Sequence, residues 1–412
     1  MHRLIQIIII VFLLPGTALS QLSERTEAIR LVREGDIQLS YGQWDRAEFS
    51  YTNAIQFDNS FADAYMKRAL LYKILGRYSE SDRDYNQAIA LNPYSEYIFD
   101  KRAKLKMIAM DYKGALYDIN QAIKLNPGNN ELIDFRIEDY IALKEYKKAL
   151  QDIDTLIKRG YDLENEYLKK AYVSLLDGAP DQSMQLIDSV LSINPDCEKA
   201  YDLMGLIELK RGNYESAKTH FTQAIQLHPE FDLAYFNRAI ANRYLKNFDE
   251  ALKDLNKAIE VSHNKNHILF SRALIKKELG NIKGSLEDYN QIISSDESFF
   301  EARYNRAFSY KFLGDYNNAL RDAEEIIELE PQSADHWNLK GNIQLLYGDY
   351  HLAIESYNEA IYLNREYKEA LYNRGLAYLM LYRLTEGCND LRRSAELNYE
   401  EAEPVIQEFC GR

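Results

Sequence analysis

From Ala28 onward the chain repeats itself every 34 residues, and eleven periods, starting at residues 28, 62, 96, 130, 164, 198, 232, 266, 300, 334 and 368, follow without an insertion. A strict period of this length constrains the fold more than any local preference. Each period is one supersecondary unit too small to bury its own apolar face, so the units must stack on one another to share a core. Only 18 Gly and 8 Pro in 412 residues leave little material for strands and tight turns, which points to helices.

Counting from Ala28 as position 1, position 8 is small in ten of eleven repeats, from Gly35 to Gly375, with Ile137 the departure. Position 20 is small in all eleven, from Ala47 to Gly387, and position 17 is aromatic in eight, including Trp44, Tyr78, Phe248 and Tyr350. Small residues at positions 8 and 20 let two helices of one repeat approach closely, and the aromatic at 17 is expected to fill the wedge beside their turn. Glycine at position 15 in seven repeats ends the first helix, A, by permitting a left-handed residue. Five prolines at position 32 (Pro93, Pro127, Pro195, Pro229 and Pro331) stop the second helix, B.

The 34-residue period, the small positions, the aromatic at 17, Ala at 27 (Ala54, Ala88, Ala122, Ala224, Ala258, Ala360) and Pro at 32 together resemble the tetratricopeptide repeat family. The resemblance covers about residues 28–401 and implies an all-α fold, a right-handed solenoid of eleven helical hairpins. It implies a non-enzymatic protein- or peptide-binding module and says little of which partner is bound. Repeats 4 and 5 depart from the pattern at Ile137, Leu156, Val190 and Pro180, and a bend or a low-stability hinge is expected there.

The first twenty residues stand outside the repeats. Arg3, an apolar run from Leu4 to Leu14, the Pro15-Gly16 break and the small Ala18 and Ser20 read as a secretory signal, with cleavage expected after Ser20. The run falls short of the roughly 20 apolar residues a spanning helix needs. Residues 21–27 are a short N-terminal segment. The whole chain has 50 basic and 64 acidic side chains and a net charge of −14, a balance that repels phosphate backbones and disfavours nucleic acid as a partner.

At the other end, Ala402, Val405, Ile406 and Phe409 recur at helical spacing, so residues up to 412 are expected to complete a helix capping repeat 11. Cys388 lies near the start of helix B of repeat 11 and Cys410 near the end of that returning helix. At about 1.5 Å rise per residue the two thiols come level, which makes a disulfide geometrically reasonable; two unrelated buried thiols is the alternative. The ending "GCNDLRRSAELNYEEAEPVIQEFC" resembles the terminal repeats of exported arrays from Bacteroidetes-type bacteria, which implies a periplasmic or envelope location. Cys197 is left without a partner.

Catalytic and metal signatures are sparse: there is no zincin-type histidine pair, phosphate-binding glycine loop, nucleophile elbow or Cys-x-x-Cys, and His263 and His267 straddle a link between helices. No enzyme activity and no cofactor are expected. The family resemblance places the ligand surface on helix A, at positions 2, 5, 6, 9, 12 and 13. Position 6 carries Asn237, Ser271, Asn305 and Asn373, able to donate to and accept from a peptide backbone. Position 12 carries Arg243, Lys277 and Lys311 in three successive repeats, a prospective positive ladder for an acidic or extended segment. Aromatic Phe236, Phe270, Tyr304 and Tyr372 at position 5 add apolar contact. The rival is a scaffold that joins an envelope complex through its edges or convex face, with Arg238, Arg306 and Arg374 no more than weak surface ion pairs.

Overall fold

The computed structural model describes residues 16–411, and among them every regular element is an α-helix: eleven helix pairs and one last helix, 23 in all. The chain divides into two compact bodies, up to Ala200 and from Tyr201 onward, the division falling in the first turn of helix Glu198–Lys210. The N-terminal body holds repeats 1–5 and the C-terminal body repeats 6–11 with the last helix. Within each body the A and B helices of a repeat pack together and each B helix packs on the next A helix, a solenoid of hairpins. None of the described helices is long and apolar enough to cross a membrane.

The period is honoured to the residue. Helix B begins at position 17 in all eleven repeats, from Trp44 to Leu384. Just before it, all eleven residues at position 15 are left-handed, with φ between +58° and +96°. Seven are glycine, but Met110, Lys144, Lys246 and Tyr382 take the same conformation with a side chain attached. The hydrogen bonds that close the turn explain why: Lys246 N donates to Arg243 O at 3.0 Å and Asn247 N to Asn242 O at 2.8 Å. The same pair closes the glycine turn at Gly314, from Gly314 N to Lys311 O at 3.1 Å and Asp315 N to Tyr310 O at 2.9 Å. The turn geometry belongs to the stacked fold, and residues that dislike it comply.

Position 8 is small for a reason more specific than helix approach. A Cβ on Gly35 would stand 2.5 Å from the Tyr51 ring and one on Gly341 2.6 Å from the Tyr357 ring, so a side chain from helix B occupies the gap. Both rings are fully buried and both hydroxyls donate at 2.8 Å, Tyr51 to Asp36 and Tyr357 to Asn342. The position-17 aromatics fill the wedge in only part of the array: Tyr146, Phe248 and Tyr316 pack against the core of their own hairpins. Trp44 and Tyr78 are 39% and 41% exposed, and Tyr214 instead stacks on Tyr244 of the next repeat with centroids 4.6 Å apart.

In repeats 4 and 5 the departures from pattern are accommodated. Ile137, Leu156 and Val190 are buried, and Pro180 opens helix Pro180–Ile193 where a missing N–H leaves no bond unmade. The irregularity there is polar. Asp139, Glu166 and Ser174 are buried, and neither carboxylate oxygen of Asp139 has a hydrogen-bond partner.

Of the expected signal segment, residues 1–15 lie outside the described residues. Helix A of repeat 1 runs Gly16–Ser40, so residues 21–27 are a helical extension of that repeat and not a separate segment. No Gly or Pro interrupts the chain between residues 17 and 34, which removes any local reason to stop. The last helix is Ala402–Phe409, with Val405 and Ile406 packed beside Tyr372, Leu379 and Leu391. Phe409, expected on that apolar face, is 51% exposed, because the helix ends at the Cys410 anchor. Cys388 and Cys410 are joined, with Cα atoms 5.6 Å apart, and Cys197 is a buried free thiol.

Candidate functional site

Each A helix shows one face to its own B helix and the preceding repeat, and the residues at positions 6 and 12 stand on the remaining face. The structure separates them by what each already holds. Asn237 donates to Asp202 Oδ1 at 2.9 Å, and burial pushes the Asp202 carboxyl up to about 6 against the pull of that bond. Ser271 Oγ donates to His267 O at 3.0 Å and Asn305 Nδ2 to Glu301 O at 2.9 Å, both within their own helix. Asn373 Nδ2 donates to Asn342 Oδ1 at 2.8 Å. All four position-6 side chains therefore have a hydrogen-bond partner within the protein. The reason is local: a short polar side chain in a helix reaches the carbonyl one turn back, or the neighbouring repeat, more readily than open solvent.

The three-cation ladder also resolves differently. Arg243 forms an ion pair with Glu278 of the next repeat, which holds its guanidinium firmly protonated. Lys277 and Lys311 remain, and they share one aromatic ring: their Nζ atoms lie 5.4 and 4.0 Å from the centroid of Phe308. Among the described residues no carboxylate comes within ion-pair distance of either. Burial lowers the pKa of both, and Lys277 lowers that of Lys311 further. Position-5 Phe270 and Tyr304 are half-buried beneath, Phe270 against Phe299 at 5.7 Å and Tyr304 against Phe308 at 5.6 Å. Phe236 meets His267 edge-on at 5.1 Å, and Tyr372 lies 5.1 Å from Tyr399. These rings belong chiefly to the packing between repeats.

The larger correction concerns the position-7 arginines. Arg238, Arg306 and Arg374 are not weak surface pairs. Each makes a two-pronged ion pair with an aspartate sixteen residues on, which is 6%, 1% and 8% exposed at Asp254, Asp322 and Asp390. Its third nitrogen reaches back to the preceding repeat: Arg306 Nη1 donates to Asn290 at 2.7 Å and Arg374 Nη1 to Asn358 at 2.7 Å. Arg68, Arg102, Arg136 and Arg272 repeat the arrangement with Asp84, Asp118, Asp152 and Asp288. In these seven repeats the device fixes helix A to helix B and the repeat to the one before it. The spacing was visible in the sequence as arginine at position 7 with aspartate at position 23.

Among the described residues no cluster of His, Cys, Asp or Glu is arranged to hold a metal ion. One open concavity, lined by Leu22, Arg25, Phe57 and Asp58, lies at the first repeat, where Arg25 and Asp58 already neutralise each other.

Among the described residues the geometry is that of an all-helical repeat protein whose buried arginine–aspartate pairs serve the stacking of its hairpins. Residues 62–95 and 304–367 match tetratricopeptide repeat models, and residues 111–269 match the model of the tetratricopeptide repeat protein 21 C-terminal ARM domain. The chain is a tetratricopeptide repeat protein. Similar solved structures include YrrB, a tetratricopeptide repeat protein described as having an unusual peptide-binding site (18% identity, TM-score 0.41, 45% of this chain and 95% of that one). A tetratricopeptide repeat protein from Parabacteroides merdae is 19% identical, with TM-score 0.43 over 60% of this chain and 98% of that one. MamA is 20% identical, with TM-score 0.38 over 40% and 96%. No curated protein matches the chain in sequence. Proteins of this repeat family typically mediate protein–protein interactions, and their fold is generally non-catalytic.

Proposed function

We propose that the protein is an exported, non-enzymatic adaptor that holds a segment of a partner protein against the helix-A surface of repeats 7–9. The observation that carries the reading is the Lys277, Phe308, Lys311 group: two half-buried cations of adjacent repeats that share one aromatic ring and, among the described residues, have no carboxylate within ion-pair distance. Export draws its support from the charged, then apolar, then small-residue order of residues 1–20 and from the Cys388–Cys410 disulfide, a bond that persists in oxidising compartments. A second reading, a scaffold of an envelope complex bound through its edges, is favoured by the exposed apolar residues at the A–B turns. Tyr244, Leu346 and Met380 are 58%, 57% and 54% exposed.

A crosslinking pull-down from native envelope fractions separates the two. The wild type is compared with the triple variant Arg243→Ala, Lys277→Ala, Lys311→Ala. Under the proposed reading the variant loses the partner; recovery of the same partners by both proteins transfers the role to the edges.

A further inference from the structure

We infer that the C-terminal body contains a joint between repeats 9 and 10, at which repeats 10 and 11 with the last helix open from repeat 9 as one folded unit. The inference is independent of the proposed helix-A surface.

Two devices fasten each of the other junctions in this body. One is an apolar node, where position 4 of a repeat shares a core cluster with position 3 of the next: Tyr201 with Ala234, Tyr235 with Ile268, Leu269 with Ala302 and Trp337 with Ala370. The other is the arginine device, as in Arg306 with Asp322 and Asn290. Between repeats 9 and 10 both fail. The node positions hold Arg303 and His336, 7% and 6% exposed. Arg303 pairs with Glu325 and donates from Nη2 to Glu297 O at 2.9 Å, and His336 Nε2 lies 3.9 Å from Glu330. Arg303 Nε and His336 Nδ1 are buried without a hydrogen-bond partner, as is Oδ1 of Asn338 two residues further on. In place of the arginine device stand Lys340 and Ser356. Lys340 pairs with the exposed Glu324 at 3.0 Å, and Ser356 donates to Gln344 of its own repeat at 2.7 Å.

Opening has a different cost here than at the other junctions. Parting Leu269 from Ala302 brings apolar surface to water, whereas parting repeats 9 and 10 hydrates polar atoms that the closed junction leaves unpaired. Leu339 and Ile343 still pack on Ala307, Ala319 and Ala323, so the closed form predominates. Beyond the joint the fastenings resume, with Arg374 on Asp390 and Asn358 and with the Cys388–Cys410 bond. Repeat 10 is also built like repeat 1, where the array starts. In both, the position-23 serine donates to the position-11 glutamine, Ser50 to Gln38 at 2.8 Å in repeat 1, and a glycine lies against the position-24 tyrosine. The two losses coincide again in the N-terminal body, where buried Glu166 takes position 3 of repeat 5 and Lys170 pairs with Asp154 at 2.6 Å. There Ile133 keeps the node half apolar.

The test is thiol labelling of single buried reporters in the full chain carrying Cys197→Ala, with the Cys388–Cys410 bond intact. Ala323→Cys reports on the junction of repeats 9 and 10, Ala302→Cys on that of 8 and 9, and Ala370→Cys on that of 10 and 11; all three alanines are at most 1% exposed. Labelling at 323 should be about 10- to 100-fold faster than at 302 and 370, the range set by unpaired buried polar atoms. Restoring the apolar node with Arg303→Leu and His336→Ala should slow labelling at 323 by a similar factor. In a separate protein, restoring the arginine device with Glu324→Asn, Lys340→Arg and Ser356→Asp should do the same. A circular dichroism spectrum identical to that of the wild type shows that each variant is folded. Labelling at 323 no faster than at 302 overturns the joint. Equal labelling at 323 and 370 means that the C-terminal end unfolds piecemeal and overturns the opening of one unit. Fast labelling at 323 that neither restoration slows overturns the assignment to these residues.

Discussion

Replacing Met110, Lys144, Lys246 and Tyr382 by glycine should stabilise the protein, although each substitution deletes a side chain. All four occupy the left-handed turn position, with φ of 58°, 58°, 60° and 59°, where the other seven repeats already have glycine. A side chain in that conformation costs about 1–2 kcal/mol. Glycine gives back about 0.5–1 kcal/mol through the extra freedom of the unfolded chain. The net gain is about 0.5–1 kcal/mol per site. Nothing of consequence is lost from the surface, since all four side chains are exposed, Met110 at 75% and Tyr382 at 91%. The four sites lie in different repeats, so their effects should add to about 2–4 kcal/mol. Urea unfolding followed by far-UV circular dichroism, for each single variant and the quadruple variant, measures this. A repeat array need not unfold in one step, so transition midpoints are compared before any free energy is extracted. Lower midpoints for the glycine variants, or an unchanged midpoint for Gly280→Ala in the reverse direction, would refute the claim that the fold imposes this conformation.

Three further outcomes follow from the structure. Asp288 is 1% exposed and accepts from Arg272 at 2.6 and 3.0 Å and from Lys276 at 2.9 Å, so Asp288→Ala should lower unfolding stability by about 3–5 kcal/mol; a loss under about 1 kcal/mol would reduce the pair to surface rank. Burial pushes the Asp139 carboxyl up to about 7, with Glu138 adding to it. The folded state then keeps its proton where the unfolded chain has lost it, stability falls as pH rises from about 4 to about 7, and the penalty is complete above that. Asp139→Asn should flatten this decline in denaturant midpoints measured from pH 4 to pH 8, and an unchanged slope would contradict it. The Cys388–Cys410 bond closes a loop of sequence separation 22, worth about 3 kcal/mol in chain entropy. Cys388→Ser with Cys410→Ser should speed amide exchange in helix Ala402–Phe409 and leave repeats 1–5 at their wild-type rates.

The period made the helices legible because each recurrence has a steric cause that acts within one or two repeats. The small residue at Gly35 and Pro195 after helix B are such causes and could be read without coordinates, whereas the Tyr51 ring that fills the space over Gly35 could not. The position-12 lysines were legible for the same reason, since helical spacing fixes which face they share. The fates of Asn237 and Arg243 were not, because Asp202 and Glu278 lie 35 residues away in sequence and their side-chain reach is set by how repeats stack. The arginine device at Arg306, Asp322 and Asn290 was written in the sequence as a sixteen-residue spacing in both directions. The spacing alone does not single it out, because charged residues on a helix are ordinarily solvated and only the depth of Asp322 distinguishes it.

The central claim, that partners bind the helix-A surface of repeats 8 and 9, is tested most directly by photocrosslinking. A benzophenone side chain is placed at Phe312 beside the lysine pair and, in a second protein, at Tyr362 on helix B of repeat 10, both 77% exposed. The account predicts a partner adduct from position 312 that disappears with Lys277→Gln and Lys311→Gln, and none from position 362. Adducts formed only at position 362, or adducts at 312 indifferent to the lysines, would contradict it.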